Sequence, residues 1–267
     1  MHFRLYPLRL TFRARALLSF PPGGAGNRLR GAFGAILYKL ECAPMFAPTS
    51  KAGPSGIVDQ PRPFVFRASH LDGLTIAPDE TFHFDFHWFN MRRESLDTVI
   101  HAFRELPVAE LADVQGADDP IELCLDPAGD PVNRIAIRFQ TPTELKADGQ
   151  IIERPEFGVL AARIRDRIST LRALYDDGPL PIDFREFGER AARIQMTRCD
   201  IRKVEASRRS GRTGQVHSLG GFVGEAEYEG DLTEFVPYLE AARWTGVGRQ
   251  TAWGKGELTL YTVRSKV

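Results

Sequence analysis

A chain of 267 residues that is 43% hydrophobic and 26% charged, with no apolar run able to span a bilayer, has the composition of a protein that buries one large core or two small ones. Its 35 Lys and Arg balance its 35 Asp and Glu, and a formal net charge of zero excludes coating of nucleic acid by bulk positive charge. The three cysteines, Cys42, Cys124 and Cys199, lie too far apart for a disulfide framework or a zinc knuckle and read as buried thiols.

The chain starts with apolar and polar residues in alternation, so residues 3–14 read as a strand rather than a signal peptide, and a cytoplasmic protein is expected. Pro7 disturbs the alternation and points to an edge position or a bulge. Residues 21–26 form a Pro/Gly loop, after which Asn27 is placed to cap a helix reaching about Glu41, with Leu29, Phe33, Ile36 and Leu37 on its apolar face. Residues 43–63 are a long Pro-, Gly- and Ser-rich loop leading into a strand that ends near Arg67.

Residues 81–89 alternate most clearly, with Phe82, Phe84, Phe86 and Trp88 on one face and His83, Asp85 and His87 on the other. That second face reads either as the polar side of a half-covered sheet or as a metal or acid/base ladder. A helix over 94–106 and a short strand over 121–125 follow. The order strand, helix, strand, strand, helix, strand is that of a ferredoxin-like βαββαβ domain.

The same order begins again after residue 130: a strand over 133–145, a helix over 157–175, a second helix from Phe184 to about Met196, a strand over 198–207, a returning strand over 215–228, a helix capped by Asp231, and a final strand from Glu257. The chain is therefore expected to be an α+β protein of two tandem ferredoxin-like, RRM-like domains, residues 1–130 and 131–267. Between the strands of the second hairpin, residues 198–214 hold six basic residues against two acidic ones. Before the last strand, Gly246, Gly248, Gly254 and Gly256 punctuate a short loop that also carries Arg249 and Lys255. Such a loop serves either as a tight turn or as a set of amides converging on an anion.

In its glycine loop the chain resembles the CRISPR precursor-RNA processing endoribonucleases of the RAMP superfamily, whose C-terminal pattern is Gly-hydrophobic-Gly, five residues, Gly-any-Gly. Residues 29–34 on the first helix, 61–67 after the long loop, and 208–214 followed by 219–224 agree with that family in order. The resemblance implies binding of CRISPR repeat RNA and metal-independent cleavage in which a ribose 2′-OH attacks the adjacent phosphate, with no cofactor, no membrane, and other CRISPR effector subunits as further partners. It places RNA on Arg208, Arg209, Arg212, Gly246, Gly248, Arg249, Gly254, Lys255 and Gly256. The family's first-helix histidine is absent, since none lies between His2 and His70. Tyr38, Lys39, Lys51 and His217 are then the candidates for proton transfer. The competing expectation is a non-catalytic RNA-binding subunit, and a weaker one is a metal enzyme built on His83, Asp85 and His87.

Overall fold

The computed structural model describes residues 1–42, 60–127, 129–205, 207–209, 216–218 and 220–262, with backbone only for 207–209, 216–218 and 262. In chain order the elements are β1 (His2–Ala14), β2 (Leu18–Ser19), α1 (Ala25–Lys39), β3 (Phe64–Arg67), β4 (Thr75–Ile76), β5 (Thr81–Trp88), α2 (Arg93–Arg104), β6 (Ala109–Gln115) and β7 (Ile121–Cys124). The second half continues with β8 (Arg134–Thr143), β9 (Lys146–Ala147), β10 (Gln150–Ile151), α3 (Phe157–Tyr175), α4 (Phe184–Ala191), β11 (Gln195–Val204), β12 (Ser207–Arg209), β13 (Val216–Ser218), β14 (Gly221–Glu229), α5 (Val236–Thr245) and β15 (Leu258–Thr262).

Two antiparallel sheets result, ordered β3-β5-β1-β6 and β11-β14-β8-β15. Both follow the ferredoxin-like order, in which the first and third strands lie at the centre and the fourth closes the edge beside the first. The two tandem ferredoxin-like folds expected from the element order are therefore present, with different strand membership at two places. The fourth strand of the first sheet is β6, paired with Arg9–Ala14 of β1, and not residues 121–125. Those residues form β7, which pairs with His2–Leu5 further along the same strand. The acidic sequence of β6, Ala-Glu-Leu-Ala-Asp-Val-Gln, lacks a clean alternation because only one of its edges is paired and a register shift interrupts it at Thr11/Phe12.

β1 is central rather than an edge strand. Pro7 is tolerated because it falls between the stretches paired with β7 and β6, where no neighbour needs its missing N–H. The burial phase also switches there: Phe3 and Leu5 enter the core of the second sheet, while Tyr6, Leu8, Leu10 and Phe12 enter the core of the first. One strand thus serves both cores, and Val65 and Phe89 of the first half join the second.

The first core is aromatic. Phe33 of α1 stacks on Phe103 of α2 at 4.6 Å and meets Phe64, Phe66 and Phe86 edge-on. Full burial of each such ring stabilises by about 1.5–3 kcal/mol. The second core is built on α3, whose Leu160, Ile164, Ile168 and Leu171 are buried, and on Tyr228, whose hydroxyl donates to Pro155 O at 2.7 Å.

Several local expectations change. α1 starts at Ala25, whose N–H donates to Asp72 Oδ1 at 2.8 Å, so Asp72 supplies the N-terminal acceptor and Asn27 lies inside the helix. α5 starts at Val236 with a proline in its first turn, beyond Asp231. Cys124 is exposed and Cys42 and Cys199 are partly exposed, because each sits on an edge strand or a helix end rather than in a core. Among the described residues no helix is long and apolar enough to cross a membrane.

Candidate nucleic-acid interface

The glycine loop leaves α5 at a point held by three side chains from other elements. Arg67, at the end of β3, donates from Nη2 to the carbonyls of Arg243 (3.1 Å) and Trp244 (3.4 Å). The Nδ1–H of His87 on β5 donates to Trp244 O at 2.8 Å, and Nε of Arg167 on α3 donates to Thr245 O at 2.9 Å. These carbonyls are the unpaired acceptors that end every helix, and cations there also complement the helix dipole. His87 takes part as a neutral ring: burial, reinforced by the Arg67 charge, pushes its pKa down to about 4. Arg167 is pushed down to about 9 by burial and then by Arg67, and it keeps its charge at neutral pH.

Beyond Thr245 the loop folds onto itself. A Cβ on Gly256 would lie 1.9 Å from Val247 O, and one on Gly248 would lie 2.3 Å from Glu144 O, both in left-handed backbone (φ 68° and 80°). Glycine is required at both positions. The amides of Gly246, Val247, Arg249, Trp253, Gly254 and Gly256 donate to backbone carbonyls. For these six the expectation of amides converging on an anion is corrected, because their hydrogen bonds are spent within the fold. Lys255 is also redirected: its side chain is buried, Nζ donates to Gly23 O at 3.2 Å, and desolvation lowers its pKa. It fastens the loop to the start of α1, where a Cβ on Gly26 would lie 2.6 Å from Trp253 O. Arg249 turns the other way and pairs with Glu144.

What the loop does offer is one wall of a cleft of about 510 Å³. Arg30 of α1, Arg62 before β3, Lys146 of β9, Arg163 and Arg167 of α3, and Arg249 line it, against two acids, Glu144 and Asp166. Arg30 lies over the Trp253 ring at 4.9 Å from its centroid. Both acids are occupied, Glu144 by Arg249 and Asp166 by Arg165 at 2.7 Å and Arg163 at 3.7 Å. An excess of guanidinium and ammonium groups around a concave surface with an aromatic ring is suited to a phosphate backbone with stacked bases.

The remaining predicted residues are scattered. Tyr38 and Lys39 are exposed on the last turn of α1, twelve and thirteen residues from Gly26, so about 18–20 Å along the axis from the end that touches the loop. Lys51 and Arg212 lie outside the described residues. Arg208 on β12 is opposite His217 on β13 in a two-stranded ribbon that prolongs the β11–β14 hairpin. The His83-Asp85-His87 face splits into separate partnerships: His83 stacks on His70 at 4.9 Å, Asp85 pairs with Arg9 at 2.7 Å, and His87 caps α5. Among the described residues no three His, Cys, Asp or Glu side chains are grouped to hold a metal ion. The α3 contribution was present in the sequence as Arg163, Arg167 and Thr170, spaced i, i+4, i+7 along one helix face, but nothing local tied that face to a loop some eighty residues away.

Residues 137–258 match the family model described as CRISPR-associated endoribonuclease Cas6, and residues 3–117 match a model described as an N-terminal domain. Among solved structures, Thermus thermophilus Cas6 superposes with a TM-score of 0.60 at 17% identity, over 98% of this chain and 99% of that one. A Cas6 product complex gives 0.59 at 17% identity, over 98% and 100%. A Cas6-RT-Cas1–Cas2 complex gives 0.59 at 12% identity, over 99% of this chain and 29% of that one. Comparison with curated proteins gives no match. The resemblance to RAMP-superfamily CRISPR endoribonucleases is upheld, and the tandem ferredoxin-like fold extends over the whole chain.

Proposed function

We propose that this chain, which matches the Cas6 endoribonuclease model over residues 137–258, binds CRISPR repeat RNA and cuts the precursor transcript into guide RNAs. The observation that carries this reading is the glycine loop, pinned at the seam of two ferredoxin-like sheets and forming one wall of a basic cleft. Arg208 and Arg209 of the ribbon, together with Arg212 and Arg249, are the proposed RNA-binding set, and Gly246, Gly248, Gly254, Gly256 and Lys255 act through the position of the loop.

The chemistry proposed is transesterification without a metal. The ribose 2′-OH gives its proton to a general base and attacks the adjacent phosphorus. The bond to the 5′-oxygen breaks, that oxygen takes a proton from a general acid, and the products are a 2′,3′-cyclic phosphate and a 5′-OH. Cations near the phosphorus stabilise the pentacoordinate transition state. Tyr38, Lys39, Lys51 and His217 are the proposed proton-transfer groups. Single substitutions to Phe, Ala, Ala and Gln in turn would sort them, a true base or acid losing roughly 10²–10⁴-fold in rate with little change in RNA affinity.

The decisive experiment incubates the protein with a labelled repeat-hairpin RNA in EDTA. One cut bearing a cyclic phosphate, abolished by a 2′-deoxy substitution at that nucleotide, is expected, and a requirement for magnesium would refute the mechanism. The alternative, a subunit that holds RNA without cutting, draws on the distance of Tyr38 and Lys39 from the loop; tight binding with no product under single-turnover conditions would select it. Other CRISPR proteins are proposed partners, because one structural neighbour is a Cas6-RT-Cas1–Cas2 complex.

A further inference from the structure

The cap on α5 does not account for all of Arg167. Its Nε is used by Thr245 O, yet Nη2 is buried with no hydrogen-bond partner among the described residues. Arg67 has the same shortfall at Nη1 and is near enough for its charge to act on Arg167. A buried donor left unpaired costs roughly 1–3 kcal/mol, and more when the group is charged. Two neighbouring buried cations, each short of an acceptor, form a site whose missing member is an anion.

The surrounding carboxylates do not supply it. Asp166 is held by Arg165 and Arg163, and Glu144 by Arg249. Glu257 acts on Arg67 through its charge, but its own buried Oε2 also lacks a partner. Arg167 is partly exposed and lines the cleft together with Lys146, with Nη2 on its buried side.

We propose that Arg167 and Lys146 form a receptor for one phosphodiester of bound RNA on the α3 side of the cleft, Arg167 Nη2 donating to a nonbridging oxygen and Lys146 adding a second positive charge. The anion site follows from the buried donors; the identity of the anion as RNA rests on the function proposed above. Because the same guanidinium holds Thr245 O, an occupied site also fixes the residue from which the glycine loop departs.

The test uses the full chain with Arg167→Gln, which keeps an amide donor for Thr245 O, and Lys146→Ala, a cleft-surface change that leaves the cores intact. First, melting is followed in sodium sulfate against sodium chloride at equal ionic strength. Sulfate is expected to raise the melting temperature of the unmodified protein and to do so less in Arg167→Gln. Second, affinity for a repeat-hairpin RNA is measured from 50 to 200 mM salt. Each variant is expected to lower the slope of log K against log salt by about one, which narrows the loss of affinity over that range by about fourfold.

An unchanged slope in both variants overturns the RNA assignment, and if sulfate also fails to stabilise, water fills the site and the anion receptor falls as well. If Arg167→Gln does not fold, Lys146→Ala carries the slope measurement alone. RNA that is bound but not cut, with the slope still reduced, would uphold the receptor and refute the cleavage reading; efficient cutting with unchanged slopes would do the reverse.

Discussion

The two halves of the molecule share one strand order, and among the connections in which they differ one bears on the cleft. From the last helix to the closing strand, the N-terminal half needs only residues 105–108, between α2 and β6, whereas the C-terminal half spends residues 246–257, between α5 and β15. The short version shows that closing such a sheet does not call for a long loop. The extra residues of the long version are occupied instead with the seam: they touch α1 through Trp253 and Lys255, β8 through Gly256 N to Pro142 O, and the cleft through Arg249. Function in this reading is an insertion at one of two equivalent positions on a repeated scaffold.

The largest expected effect comes from disturbing that loop. Gly256→Ala forces a Cβ to within 1.9 Å of Val247 O in left-handed backbone, so the loop must unfold locally or move away from the cleft. Cleavage of repeat RNA is expected to fall at least about a hundredfold, as misplacing reacting groups by an ångström does elsewhere. The contrasting change is Gly73→Ala in the first half, also at positive φ (80°) but with nothing within 4 Å of the new Cβ. It should cost only about 1–2 kcal/mol of backbone strain and leave cleavage intact. Equal losses of activity in the two variants would break the contrast between the halves.

Much of this organisation is legible in the sequence where it is local. The alternation over residues 81–89, the period of α3 and the glycine spacing all depend on neighbours in the chain, and β5, α3 and the loop lie where those patterns place them. β6 was not legible, because a singly paired, bulged edge strand carries no clean period. The cap on α5 was not legible either. Arg67, His87 and Arg167 sit on three elements separated by many residues, and each looks like an ordinary charged or polar position until the fold brings them to three consecutive carbonyls. Lys255 shows the reverse error. Its place among glycines reads as a loop cation open to solvent, but the same glycines let the chain turn inward and bury it.

A second prediction concerns this shared cap. His87 is neutral when folded, with a pKa of about 4 against 6.5 for the free side chain. Between those values the unfolded chain binds a proton that the folded chain excludes, so stability falls as pH falls from about 6.5 toward 4. The loss attributable to this ring is about 3 kcal/mol at full protonation, from 2.5 units at about 1.36 kcal/mol each. In His87→Gln, which retains a donor for Trp244 O, chemical denaturation at pH 7 and pH 4.5 should show a smaller difference than in the unmodified protein. An identical pH dependence would mean that the ring does not couple the first sheet to α5.

The smallest expected effect tests whether the open face of the second sheet takes any part in RNA binding. That face carries charge, but as a cross-strand ladder: Glu227 accepts from Arg134 at 2.7 Å and Arg198 at 3.3 Å, and Arg138 lies 3.3 Å from Glu225 with its guanidinium also over the Tyr261 ring. Arginines matched in this way offer phosphate little that they do not already give to glutamate, unlike the cleft, where cations outnumber acids six to two. Arg138→Gln removes an exposed pair worth about 0.2–1 kcal/mol, so stability should change by no more than that. Its RNA affinity and salt slope should match those of the unmodified protein within about twofold, since no phosphate contact is lost. A drop in slope near one would place RNA on the sheet face as well, and the division between a binding seam and two structural sheets would no longer hold.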